Sequence, residues 1–407
     1  MSAQTPIDVP AAPEVTRAPP ASRMWAAAWV VTAVFVLSNS ATPLYVHWQR
    51  EIGFSSATLT EIFAAYILGL LAALLVAGQL SDRYGRRPVL VPALLAAIVA
   101  CLLFAAAHTV SMLVAARLLS GAAVGAIVSA GMASVVDLGG PERRKQASLT
   151  ASVAMVLGAG LGPLLAGALA QGLARPVLPI FMVEFVVLAT ALTAVALLPL
   201  KRPAPAAAPG TRRLRLPGVP AENRPQLACG IAVFGPGITA TSFVLSLGPS
   251  LLSRVLGVTS PLIAGGMACA MFLTATGVQF AVRRLPVRAI LLAGSTATVL
   301  AMAGVAIAVN GSIASVMVAA ALLAGAGQGL GQLGGLTLIG LHVPAHRRAE
   351  ANAVLNFGGY IPAGLLPVAT GYLIDRSGLA VGATTFAVFL GAAAVVGALF
   401  VARRPAE

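Results

Sequence analysis

The sequence predicts an all-α integral membrane protein in which twelve transmembrane helices form two pseudo-symmetric six-helix bundles. Three observations carry this expectation. Twelve apolar stretches have membrane-spanning length, basic residues crowd into alternate connections, and the two halves echo each other at an offset of 204 residues, Gly121 to Gly325. A mean hydropathy of +0.93 with 58% hydrophobic and only 9% charged residues sets the chain apart. In soluble proteins about a quarter of positions carry charge.

Crossing about 30 Å of hydrocarbon at a rise of 1.5 Å per residue takes roughly 20 residues. Helices 1 to 6 are expected over residues 25–48, 59–80, 88–107, 111–136, 147–171 and 177–199. Helices 7 to 12 follow over 227–252, 261–282, 289–308, 313–340, 352–373 and 382–402. Lys and Arg accumulate in cytoplasmic loops. Arg50, Arg175, Arg254 and Arg376 are the basic residues of one set of connections, and Arg117 lies within a span. Every other one of the 26 falls in the opposite set, which includes both tails. Both termini are therefore expected in the cytoplasm, and an odd helix count would scramble the alternation. Few Lys beside many Arg and Ala fit a GC-rich bacterial genome, and hence an inner membrane.

The domain reading follows from these breaks. Residues 1–24 form a disordered cytoplasmic tail and 25–199 an N-terminal bundle. Residues 200–226, with six basic residues and six prolines, form a flexible cytoplasmic linker. Residues 227–402 form the C-terminal bundle and 403–407 a short tail. The echo places Gly121, Gly125, Arg143, Arg144, Pro163 and Gly167 against Gly325, Gly329, Arg347, Arg348, Pro367 and Gly371. A duplicated six-helix unit accounts for it.

Composition also excludes. A net charge of +14 does not point to nucleic acid, because the basic residues sit between apolar spans and not on a soluble face. Cys101, Cys229 and Cys269 lie singly in apolar stretches, without disulfide or metal spacing. No metal role falls to His47, His108, His342 or His346, and no cofactor is expected. No Ser/His/Asp set or phosphate loop indicates an enzyme.

Between helices 2 and 3 the chain reads Gly78-Gln79-Leu80-Ser81-Asp82-Arg83-Tyr84-Gly85-Arg86-Arg87-Pro88. It combines two glycines suited to close backbone approach, one carboxylate at a helix end and three guanidinium groups at the membrane surface. A carboxylate there can accept hydrogen bonds from the N-terminus of a neighbouring helix. A basic loop that only fixes orientation needs neither the acid nor the glycines. The string resembles the signature of the major facilitator superfamily. That resemblance implies two bundles around a central cavity and a latch closing the cytoplasmic side. In such a latch Asp82 contacts the start of helix 11 near Ala351 and Asn352, and Arg86 and Arg87 meet Asp137 or Glu142. The second-half loop, Val282 to Arg288, lacks the acid and the spaced glycines.

Helix 4 carries Arg117-Leu118-Leu119-Ser120-Gly121-Ala122-Ala123-Val124-Gly125, which resembles a second motif of that family. An Arg at the bilayer centre costs about 2.5–3.5 kcal/mol unless it faces water or a partner. Arg117 lies about 9 Å and Glu184 of helix 6 roughly 10 Å from the outer end, so the pair is expected to interact or to share a polar network. An Arg that snorkels outward and a Glu that stays protonated remain the alternatives. Of the twelve acids only Glu184 and Glu61, near the outer end of helix 2, qualify for proton coupling. Glu184 is the better placed, since an acid at depth can load and release a proton.

Helix 5 reads Gly158-Ala159-Gly160-Leu161-Gly162-Pro163-Leu164-Leu165-Ala166-Gly167. It resembles the motif that marks drug and proton antiporters in the family, with Ala166 in place of a common glycine. Glycines four apart let helices pack closely, and that packing also occurs without export. By resemblance helices 1, 4, 7 and 10 line the cavity. Asn39, Tyr45, Arg117, Gln328 and Gln332 are then the leading ligand candidates, with Asn356 and Tyr360 of helix 11 behind them. Each could equally make an interhelical hydrogen bond. The resulting expectation is a monomeric secondary transporter in the lipid bilayer, exporting small lipophilic compounds against protons. A metabolite or sugar importer and a non-transporting receptor or scaffold are the alternatives.

Overall fold

The computed structural model describes residues 20–200, 218, 221–282, 284–344 and 347–404. The expected tail over 1–24 and linker over 200–226 lie largely outside the described residues, as do residues 405–407. Twelve helices are long and apolar enough to cross a membrane, and no strand occurs among the described residues. Inside hydrocarbon no water can satisfy a peptide group, so the backbone closes its own hydrogen bonds as helix. Helices 1 to 6 run Ala21–Ile52, Ser56–Tyr84, Arg87–Ala105, Val110–Gly139, Arg144–Gly172 and Val177–Leu197. Helices 7 to 12 run Ala221–Arg254, Pro261–Val282, Val287–Gly311, Ala314–His342, Arg348–Ser377 and Leu379–Ala402. Several extend beyond the apolar stretches by a turn, because amphipathic ends such as Tyr45–Ile52 remain helical at the membrane surface.

Two helices depart from regular α geometry. Helix 1 passes through a 3-10 turn, Thr42–Leu44, around Pro43, and helix 4 contains a π stretch, Ile127–Gly131. Local sequence sets several ends. Ser55 accepts the Thr58 amide at 3.2 Å to start helix 2, and Thr109 accepts the Met112 amide at 3.4 Å to start helix 4. Gly85 ends helix 2 with φ +98°, a conformation that side chains with a Cβ rarely adopt.

Lipid tails are as apolar as Leu, so the helices adhere through close packing of small residues. A Cβ at Gly121 or Gly125 of helix 4 would overlap the backbone of Tyr66 or Leu70 in helix 2. At Gly325 or Gly329 of helix 10 it would overlap that of Met271 or Ala275 in helix 8, the same seam in the other half. Gly158 and Gly162 press helix 5 onto Thr32 and Val36 of helix 1. Two further seams join the bundles. Gly167 of helix 5 meets Pro261 of helix 8, and Gly371 of helix 11 meets Ser56 and Ala57 of helix 2. These repeat at the 204-residue offset as well. The three cysteines are free and buried.

Helix 1 starts at the end of the molecule that bears the termini, so the start of helix 2 and the end of helix 11 lie at the far end. Several polar bonds join the bundles there. Ser250 donates to Gln49 at 3.1 Å, Ser260 donates to Gln171 at 2.7 Å, and the Tyr372 hydroxyl donates to Glu61. At the terminal end, Asp82 and Asn352 are exposed.

Neighbouring glycines of helix 8 test the packing argument. Gly265→Ala puts a methyl against the Pro163 backbone, while Gly266 has no atom within 4 Å. In detergent, Gly265→Ala should lower the melting temperature, at a cost of about 1–3 kcal/mol. Gly266→Ala should leave it unchanged or raise it, since Ala is the better helix former.

Candidate functional site

The site begins at the break in helix 1. Pro43 has no N–H to give, and the turn to 3-10 geometry leaves a polar run at depth. The Ser38 hydroxyl donates to the Phe35 carbonyl at 2.8 Å, Asn39 Nδ2 donates to Ser38 Oγ at 3.0 Å, and the Ser40 hydroxyl donates to the Val36 carbonyl at 2.8 Å. Arg117 of helix 4 donates from Nη1 to the Ser38 carbonyl at 2.6 Å. Its side chain is 1% exposed, so it does not snorkel to the surface.

Aromatic rings make that burial tolerable. The guanidinium carbon lies 5.1 Å from the Tyr45 ring centre, 5.7 Å from Phe63, 5.8 Å from Tyr66 and 5.7 Å from Phe104. At about 0.5–1 kcal/mol each, four such contacts match in size the roughly 2.5–3.5 kcal/mol that an intramembrane Arg costs. Trp48, Phe104 and Phe181 stack behind them, with centres 5.2 to 6.2 Å apart. The Tyr45 hydroxyl faces the Arg117 guanidinium, short of hydrogen-bond geometry, and Nε and Nη2 of Arg117 make no hydrogen bond. Apart from Tyr45, these rings are not among the sequence candidates. The depth count that levels Arg117 with Glu184 also brings Phe104 and Phe181 to the outer ends of helices 3 and 6, and that signal went unused.

Glu184 is 5% exposed, and its Oε2 has no partner. It faces the Ser40 hydroxyl and lies near Cys101. No ion pair joins it to Arg117. The two groups instead flank the same polar run, Arg117 at Ser38 and Glu184 at Ser40. Glu61 sits at the exposed outer face, where it accepts from Tyr372 of the other bundle.

In the C-terminal half, Gln328 Oε1 is buried without a partner and Gln332 is half-buried. Asn356 donates to the Asn352 carbonyl at 2.9 Å. Tyr360 meets Phe234 edge-on at 6.3 Å and faces Tyr66 across the bundle boundary. The structure thus gathers Asn39, Tyr45 and Arg117 into one cluster, while Gln328, Gln332, Asn356 and Tyr360 belong to the opposite bundle.

The loop after helix 2 is ordered by its own charges. Arg86 pairs with Asp82 and with Asp137, each at 3.1 Å, and donates to Ser81 at 2.7 Å. Arg87 donates to the Ala196 carbonyl at the end of helix 6, not to Asp137 or Glu142. Arg83 lies 5.2 Å from the Tyr84 ring centre. Asp82 is 77% exposed and does not touch Ala351 or Asn352. Gly85 is required by its positive φ, whereas Gly78 faces open space and makes no close approach here. Gly121, Gly125, Gly158, Gly162 and Gly167 each lie close against the backbone of a neighbouring helix, and Pro163 lies inside helix 5.

Comparison with known proteins adds three findings. The sequence model of the Major Facilitator Superfamily matches residues 24–312. A triacylglyceride transporter of Mycobacteroides abscessus is 36% identical over 106 residues, 26% of this chain and 21% of that one. A probable actinorhodin transporter of Streptomyces coelicolor is 31% identical over 175 residues, 41% and 30% respectively. Multidrug resistance protein MdtL of Klebsiella pneumoniae is 34% identical over 95 residues, 23% and 24%. The matched segments therefore span about a fifth to a third of these relatives. Among solved structures, an autoinhibited POT family peptide transporter superposes with a TM-score of 0.75 at 15% identity, over 94% of this chain and 97% of that one. A nucleoside transporter superposes with 0.72 at 12% identity, over 93% and 99%. At such identities the likeness is one of fold.

A hydroxyl that donates to nothing contributes little to stability. Tyr45→Phe should therefore keep or raise the melting temperature. Trp48→Ala, which empties a stacked and fully buried position, should lower it, at a cost in stability of about 3–5 kcal/mol.

Proposed function

The chain belongs to the Major Facilitator Superfamily, and on that footing we propose that this membrane transporter exports small lipophilic organic compounds against protons by alternating access. The observation that carries the coupling is Glu184, an intramembrane carboxyl with an unpartnered oxygen beside the polar run of helix 1. Ionisable groups at membrane depth mark ion and proton pathways. Arg117 holds free donors on the other side of the same run. Charge gained or lost at Glu184 then alters the field on Arg117 through Ser38–Ser40, and so biases helix 1, which borders both the N-terminal core and helix 7.

The substrate class rests on the lining and on the relatives. The candidate ligand groups Asn39, Gln328, Gln332, Asn356 and Tyr360 are neutral and sparse among apolar neighbours, a surface suited to lipophilic molecules with few polar groups. Relatives described as multidrug, actinorhodin and triacylglyceride transporters fit that class. With the basic connections in the cytoplasm, both termini lie inside a bacterial inner membrane and the structure is closed outward. Asp82 on the exposed inner side is then the unlatched form of the gate, and the transporter works as a monomer.

The test is flux in proteoliposomes across an imposed pH gradient, with a panel of lipophilic cations and amphiphilic drugs. Protons running down their gradient should drive substrate the opposite way, and Glu184→Gln should reduce that flux about tenfold or more. Flux indifferent to both gradient and Glu184 removes proton coupling. Flux in the direction of the protons makes the protein an importer. Ligand binding without flux makes it a receptor.

A further inference from the structure

The outer end of helix 11 repeats the sequence pattern of the inner end of helix 2. Gly78-Gln79-Leu80-Ser81-Asp82-Arg83-Tyr84-Gly85 and Gly371-Tyr372-Leu373-Ile374-Asp375-Arg376-Ser377-Gly378 share Gly, Leu, Asp, Arg and Gly at the same five places. The backbone repeats too. Each segment ends its helix on a glycine with positive φ, +98° at Gly85 and +89° at Gly378. In each, that glycine's N–H returns to the residue before the aspartate, Ser81 or Ile374, at 3.0 and 2.8 Å.

The two copies differ in what they touch. Asp375 Oδ1 accepts the Ser56 amide at 2.9 Å and Oδ2 accepts the Ala57 amide at 3.0 Å. These are the first two amides of helix 2, in the opposite bundle. Ser55 satisfies the third, Thr58. The start of helix 2 is thus capped partly by its own bundle and partly by the other, and a carboxylate there also meets the positive end of the helix dipole. Four residues before Asp375, Gly371 is pressed against Ser56 and Ala57. Four residues before Asp82, Gly78 faces nothing within 4 Å. Asp82 itself is exposed, and the start of helix 11 has no side-chain cap.

We propose that Asp375 is an outer latch of this transporter, the counterpart at the other end of the helix 2–helix 11 contact of the inner latch that the resemblance of the Asp82 loop implies. In the present state Asp375 is docked across the bundles, while Asp82 stays within its own bundle, paired with Arg86. In the opposite state Asp82 docks on the first amides of helix 11, from Arg348, Gly78 closes on that helix, and Asp375 is released. Each carboxylate stabilises closure of its own side only, so the two oppose each other in setting which side is open. The proposal rests on the alternating-access reading above.

Pulsed electron spin resonance on the full chain in nanodiscs tests it, with the three native cysteines replaced by alanine. One label pair at His108 and Thr259 reports the outer side, and one at Gln146 and Leu285 the inner side. All four positions are exposed. Asp375→Ala should shift the outer pair to longer and the inner pair to shorter distances, with the outer-closed population falling on the order of tenfold against the outer-open one. Asp82→Ala should shift both pairs the other way, and the double variant should return towards the native partition. Ser56→Pro removes one of the donated amides while keeping a residue favoured at the first helical position, and it should act like Asp375→Ala even where the latter folds poorly. If Asp82→Ala moves the distances while Asp375→Ala and Ser56→Pro do not, the outer latch is wrong and alternating access stands. If substrate, pH and all three variants leave both distributions fixed, alternating access itself falls, and the latch with it.

Discussion

The structure depends on how closely its helices can approach one another. In lipid the association of two helices expels no water, so contact has to come from shape, and shape here means glycine against carbonyl. Helix 4 reaches helix 2 through Gly121 and Gly125, helix 10 reaches helix 8 through Gly325 and Gly329, and helix 5 reaches helix 1 through Gly158 and Gly162. These seams bring two backbones together along whole turns. Close packing also makes each such helix pair rigid, since tightly packed interiors transmit strain.

Within this frame Arg117 is held by rings and by one carbonyl, not by an opposing charge. A full ion pair with Glu184 would tie helix 4 to helix 6 and neutralise both groups. The observed arrangement leaves each group facing the polar run of helix 1 from a different side, with unfilled hydrogen-bonding capacity on both. Helix 1 is also where regular α geometry is interrupted, at Thr42–Leu44. The charges therefore bear on the last α-helical turn before that interruption.

The fold was legible in the sequence because hydropathy and loop charge are each one-dimensional signals. They locate a span and its direction without knowledge of any neighbour. The site was less so. Counting residues from a helix end gave the depth of Arg117 and Glu184, but depth says nothing of which way a side chain points around the helix. The two proved to be neighbours of the same polar run and not of each other. The contact of Asp82 with helix 11 is expected of a form closed on the cytoplasmic side, and in this structure Asp82 is exposed and pairs with Arg86. Asp375 was missed because a lone carboxylate in an outer connection looks like a solvated surface charge. Only the bound amides of Ser56 and Ala57 distinguish it.

The same two-state requirement limits how strong any contact between the bundles can be. Under the proposed alternating access the outer seam breaks in every cycle, so that seam cannot be worth much more than the one that replaces it. Small residues meet this limit well. Gly167 on Pro261 and Gly371 on Ser56 and Ala57 allow close contact, and the dispersion gained is modest and fully reversible. Directional bonds such as those from Ser250 to Gln49 and Ser260 to Gln171 add register without much strength. The seams between the bundles are not shorter than those within them, since helix 5 meets helix 8 from Gly167 on Pro261 through Pro163 on Gly265 to Gly160 on Cys269. Close packing of small residues therefore serves both kinds of seam.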